Sequence, residues 1–166
     1  KSIGIYAFSS CESITYLKFG SALSKIYQYS FSGCKNLKIV DGFENTVITD
    51  TSWNTFYGCT SLQSIQLPES LTTIGSSAFN GCTSLVVITL PASLTNIYRQ
   101  AFSGCSSLQY IRIEATIPPT LASTNAIPTT IGAIYVPDAS VAVYQAATNW
   151  SSFASKIKGI SEMPAE

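Results

Sequence analysis

The sequence predicts a short repeat solenoid, in which coils of about 23 residues stack so that one strand from each joins a parallel sheet. Three observations carry this. Cys11, Cys34, Cys59, Cys82 and Cys105 are separated by 23, 25, 23 and 23 residues. A phenylalanine stands three residues before each, at Phe8, Phe31, Phe56, Phe79 and Phe102. After each cysteine comes an apolar pattern ending in alternation, with Leu37, Leu62, Leu85 and Leu108 followed by Val40, Ile65, Ile88 and Ile111. A fixed period between about 20 and 50 residues marks a stacked array.

Each element of the coil has its own residues. The alternating L-x-x-I-x-L segment reads as a short strand with its apolar side chains facing inward. Pro68 and Pro91 stop that strand, and the glycine before the cysteine in four copies (Gly33, Gly58, Gly81, Gly104) permits a tight turn. An apolar return segment follows, carrying Leu23, Leu71, Leu94 and Ile117 and then Ile3, Ile26, Ile74 and Ile97. The A-F-x-G-C corner is short and helical or turn-like. One coil cannot bury enough apolar surface to offset the entropy of ordering its backbone, so the coils are stable only when stacked.

The second copy departs from the rule. "CKNLKIVDGFENTVITDTSWNTF" is two residues longer, with Gly42 in an apolar column. One reading has Phe43, Val47 and Ile48 filling the core from shifted positions; the other has Asp41, Glu44, Asp50 and Trp53 presented as a local recognition feature. The chain opens inside the periodic pattern, which predicts a piece of a longer array or a ragged first coil. At the other end the rhythm stops at "EATIPPTLASTNAIPTTIG", where Pro118, Pro119 and Pro128 break regular structure. The expected organisation is an array over 1–121, a closing segment over 122–160 and a tail over 161–166. Within the closing segment a strand is expected over 133–137 and helical structure over 140–158, capped by Asp138 or Ser140, broken at Asn149 and covering the last coil.

The unit "LTTIGSSAFNGCTSLVVITLPASLTNI" resembles the BspA-like, or treponemal-type, leucine-rich repeats of surface and secreted proteins of host-associated bacteria. The resemblance covers residues 1 to about 121 through F-x-G-C-x-x-L-x-x-I-x-L-P, and "IYVPDASVAVYQAATNWSSFASKIKGI" resembles the segment that often closes such arrays. It implies a leucine-rich repeat solenoid with α/β-type coils, an extracellular or cell-surface location and a role in adhesion.

Composition removes other classes. Nine basic and nine acidic residues cancel, and no cationic stripe exists to meet a phosphate backbone, so nucleic acid is not an expected partner. No apolar run is long enough to span a membrane. The start at Lys1 carries no initiator methionine or signal pattern, as expected of a segment whose targeting sequence was removed. Histidine is absent, no S-x-x-K or G-x-S-x-G occurs and the carboxylates are scattered, so neither catalysis nor a cofactor is expected.

The five cysteines allow three readings. Disulfides between adjacent coils meet an odd count and a Cβ spacing slightly beyond the usual range. A straight column of thiols without histidine does not surround a tetrahedral metal ion. As small buried hydrophobes the cysteines fit, forming with the phenylalanines a structural ladder.

Function then falls to the residues the repeat leaves outward. These form two columns on the strand face: Tyr16, Ile39, Ser64, Val87 and Tyr110, beside Lys18, Asp41, Gln66, Thr89 and Arg112. Solenoids bind through such surfaces; the alternative is an ordinary solvated sheet. The expectation is a non-catalytic adhesion module that contacts a protein or glycan on host or neighbouring cells, with Tyr16, Lys18, Tyr110 and Arg112 as anchors. The rival is a structural spacer with no ligand.

Overall fold

The computed structural model describes residues 1–164. Its coils stack in parallel, as the period requires. On the strand face Tyr16–Lys18 pairs with Ile39–Asp41, and Val87–Leu90, Tyr110–Ile113, Ala133–Val136 and Ile157–Gly159 form one four-stranded parallel sheet. The register of Ile88 with Ile111, Ile111 with Ile134 and Ile134 with Ile157 keeps all four on one inward column.

The return segment, for which no strand is expected from the sequence, forms a second row of short strands. Ser2–Ile3 pairs with Lys25–Ile26, and Thr73–Ile74, Asn96–Ile97 and Thr120–Leu121 pair in turn. The corner between the two rows is built of turns, so the helix implied by an α/β-type coil is absent from the regular coils.

Phe31, Phe56, Phe79 and Phe102 are fully buried there, with ring centroids 5.6, 5.5 and 5.5 Å apart. The coil spacing sets this repeat, and each ring covers the next. Backbone ties run forward from each corner: Phe56 N donates to Ala78 O at 2.8 Å and Phe79 N to Ala101 O at 2.9 Å. Before Cys34, Cys59, Cys82 and Cys105 the glycine holds φ between 68° and 75°, the left-handed region that favours glycine; before Cys11, Ser10 holds φ 56°.

Four details differ from expectation. Phe8 is 41% exposed and Cys11 half-buried, because the first coil has a neighbour on one side only. Val47 is exposed while Phe43 and Ile48 are buried, since the extra turn Phe43–Asn45 points only alternate residues inward. Ile117 is exposed and Ala115 and Pro119 are buried instead, as the prolines shift the chain off the repeat. The helical stretch expected to run to 158 stops early: α-helix Val141–Ala146 gives way at Asn149 (φ 64°) to a 3-10 turn Trp150–Lys156, and Ile157–Gly159 is a strand.

Neither proposed cap acts as one. Ser140 Oγ donates to Thr116 O at 2.8 Å, and Asp138 accepts from the backbone and hydroxyl of Ser161. Tyr144 Oη, Trp150 Nε1 and Asn149 Nδ2 likewise donate to Ala115, Pro119 and Leu121 carbonyls at 2.8, 2.7 and 2.7 Å. Side chains of the closing segment thus satisfy the carbonyls of the irregular proline stretch, which lacks a full strand ladder of its own. Of the expected tail, Ile160–Glu162 is a 3-10 turn, and positions 165 and 166 lie outside the described residues.

Candidate functional site

The two outward columns fall on the strand face, but their residues are not all free. Tyr16 Oη donates to Asp41 Oδ2 at 2.7 Å, and Lys18 Nζ lies 3.0 Å from the same oxygen. The Tyr16 hydroxyl, and after it the Lys18 ammonium, hold the Asp41 carboxyl below its ordinary range; the hydrogen bond to Asp41 raises both partners. At the other end Arg112 Nε sits 2.6 Å from Glu114 Oε1, an ion pair without an aligned hydrogen bond. Tyr110 meets Tyr135 edge to face at 5.5 Å. Ile39 is 55% exposed between these clusters.

Ser64 and Gln66 occupy a different environment. Among the described residues, the backbone of Ser64, Ile65, Gln66 and Leu67 makes no hydrogen bond to the coil on either side, and the segment belongs to no strand. The cause lies one coil back. Strand Ile39–Asp41 ends at Gly42, whose φ of 76° turns the chain out, and a Cβ there would sit 2.4 Å from Phe19 O. Phe43 then turns into the core, 5.5 Å from Phe19 and 6.0 Å from Phe56. The two extra residues thus place a turn where the neighbouring coil needs a strand.

The interruption leaves a groove. A hollow of about 560 Å³ lies between Glu44, Gln66, Glu69, Val87 and Thr89, and one of about 340 Å³ between Tyr16, Ile39, Asp41 and Ser64. Glu44 borders both. The larger hollow falls within the roughly 300–1,000 Å³ typical of ligand clefts.

The residues of the irregular coil part company. Asp41 and Glu44 border the strand-face groove, whereas Asp50 and Trp53 lie at the other edge of the coil, in a separate hollow of about 230 Å³ with Thr73, Gly75, Ser76 and Tyr98. That hollow has no expectation in the outward columns; its sequence signal is the reading of the irregular coil that presents Asp50 and Trp53 as part of a local recognition feature.

The four buried thiols are hydrogen-bond donors within the core. All five cysteines are free, and Cys34, Cys59, Cys82 and Cys105 are buried. Each of these donates its S–H to the carbonyl of the phenylalanine one coil back, Phe8, Phe31, Phe56 and Phe79, at 3.1, 3.3, 3.2 and 3.1 Å. Burial pushes the thiols up, Cys105 to about 12, so they remain protonated donors. Among the described residues no three His, Cys, Asp or Glu side chains gather in a way that could hold a metal ion. No helix among the described residues is long and apolar enough to cross a membrane.

The model of the BspA type leucine-rich repeat region matches residues 1–121 in six copies. The chain belongs to this family. A leucine-rich cell surface protein from Faecalibacterium prausnitzii A2-165 shares 34% identity with a TM-score of 0.63, over 68% of this chain and 29% of that one. The Treponema pallidum leucine-rich repeat protein superposes with a TM-score of 0.63 at 24% identity, over 95% of this chain and 78% of that one. A leucine-rich repeat protein from Bacteroides ovatus ATCC 8483 gives 0.50 at 25% identity, over 82% and 43%. The chain therefore spans under a third of the F. prausnitzii protein. No curated protein matches it. BspA-type arrays are bacterial surface proteins, typically non-enzymatic, with parallel sheets and no closed barrel.

Proposed function

We propose that this BspA-type array is a non-catalytic interaction module of the cell surface that binds a protein or glycan of a host or neighbouring cell through its strand face. The observation that carries the reading is the interrupted ladder at Ser64–Leu67. It leaves a groove of about 560 Å³ with mixed apolar and polar walls in the middle of a weakly charged face. Tyr16 and Lys18, paired with Asp41, and Arg112, paired with Glu114, form the rim rather than the centre. Family membership and the F. prausnitzii surface protein support the location.

The test is capture of host extracellular proteins and cell-surface glycans by the intact chain, repeated with Ser64→Arg/Gln66→Arg and with Tyr110→Ala/Arg112→Ala. Ser64 and Gln66 are exposed, so the first pair fills the groove without disturbing the core. Binding falls by at least about tenfold with the groove pair and less with the rim pair. A ligand retained at full strength by both would place the contact elsewhere.

The pairing of the rim charges favours one second reading, a stiff spacer whose strand face is only solvated. In that case the capture returns nothing, while the array keeps its stability.

A further inference from the structure

We propose that the edge of the array opposite the strand-face groove carries a second, independent site, a slot for a single neutral sugar ring between Trp53 and Tyr98. These aromatics are 58% and 43% exposed. They stand on the third and fifth coils, and the coil between them presents Gly75 and Ser76 as the floor. Gly75 cannot be replaced by a larger residue, since a Cβ there would lie 2.1 Å from Ser52 O. The backbones of the third and fourth coils thus meet closely beside the hollow.

Trp53 and Tyr98 lie two coils apart and one position out of register: the pairing of Asp50 with Thr73 and of Ile74 with Ile97 aligns Trp53 with Ser76 and Gly75 with Tyr98, so the two residues border the hollow diagonally. The hollow of about 230 Å³ has room for one residue of a glycan and no more.

The polar groups specify what the ring must carry. Asp50 Oδ1 accepts from Ser52 N at 2.6 Å, and among the described residues Asp50 Oδ2 and the hydroxyls of Thr73 and Ser76 make no hydrogen bond. Apolar walls that receive the C–H faces of a pyranose, with an acceptor and two hydroxyls below for its O–H groups, match a sugar. The Asp50 carboxylate selects neutral hexoses over uronates and sialic acids through like-charge repulsion. An alkylammonium ion would satisfy the rings and the carboxylate, but brings no group that hydrogen-bonds the two hydroxyls.

Titration of the intact chain with neutral oligosaccharides of glucose, galactose, mannose and N-acetylglucosamine tests the slot by calorimetry and tryptophan fluorescence. Trp150 is 1% exposed, so a ligand-induced change in emission reports Trp53. At least one neutral glycan is expected to bind saturably with such a change. Trp53→Ala abolishes the calorimetric signal, Tyr98→Ala weakens affinity about tenfold or more, and circular dichroism of both variants is unchanged. The Ser64→Arg/Gln66→Arg pair leaves sugar binding intact, which separates this site from the strand face. The assignment is overturned if no neutral glycan binds, if binding survives Trp53→Ala, if sialylated glycans bind more tightly than neutral ones, or if tetramethylammonium alone saturates the site.

Discussion

The third, fourth and fifth coils are written in the same phrase, yet only the fourth and fifth build an unbroken strand ladder, the third lying against the irregular second. Val87–Leu90 and Tyr110–Ile113 pair along their whole length, whereas Ser64–Leu67 pairs with nothing. The corners show no such difference. Phe31 and Phe56 stack at 5.6 Å, as do Phe56 and Phe79 at 5.5 Å, and Cys59 reaches Phe31 O as Cys82 reaches Phe56 O. The two sides of the solenoid are therefore held separately. The aromatic and thiol corner maintains the stack, and this frees the strand face to lose a rung.

If the corner carries the stack, its interior rings matter most. Phe79→Ala removes a ring covered on both sides and is expected to cost about 3–5 kcal/mol in urea or thermal unfolding. Phe8→Ala, at the open side of the first coil, costs less than half of that. Equal losses would mean that stacking between coils is not what stabilises the corner.

The thiols sharpen the same point through pH. Burial raises Cys105 from 9.0 to about 12, so the folded state keeps a proton that the unfolded state releases first. Its contribution is whole below about pH 9 and is lost as pH rises toward 12, at up to about 1.4 kcal/mol per pH unit. Denaturation curves at pH 7, 9, 10 and 11 should show this decline, and Cys105→Ala should lessen the slope by that thiol's share, leaving the share of Cys34, Cys59 and Cys82. A slope unaltered by the substitution would assign the alkaline loss to other groups.

The smallest effect belongs to the strand face. Asp41→Asn breaks an exposed cluster with Tyr16 and Lys18 and leaves the melting temperature within experimental error, because solvent screens exposed pairs. A clear drop would show that this face also holds the stack.

Much of this was legible in the sequence because stacking repeats a residue type at a fixed interval. The Phe and Cys columns, the inward Ile column and the break at Asn149 are all seen in the structure. The last strand was missed for a physical reason. Trp150, Phe153, Ala154 and Ile157 fit a helical face, and the 3-10 turn over Trp150–Lys156 satisfies nearly the same spacing. The signal that could have found it is the period itself: Ile88, Ile111, Ile134 and Ile157 are each 23 residues apart, although the cysteine ruler ends at Cys105.

Cysteine was read for its size, whereas its S–H bond to the preceding coil depends on where a carbonyl falls, which no side-chain pattern encodes. The candidate face was legible as two columns. The groove was not, because it arises from backbone bonds that Gly42 and the extra turn remove. Asp50 and Trp53 are legible, in one reading of the irregular coil, as part of a local recognition feature; Tyr98 is not, because it lies two coils away and joins them only through the register of the stack.

Hydrogen exchange at single-residue resolution tests the split between corner and strand face most directly. The amides of Phe56, Gly58 and Cys59 at the third corner, and of Ile111 and Arg112 in the doubly paired strand, should be strongly protected, while Gln66 exchanges near the rate of an unpaired amide. A Gln66 amide as protected as Arg112 would mean a continuous ladder through the third coil, and would contradict both the groove and the separation on which it rests.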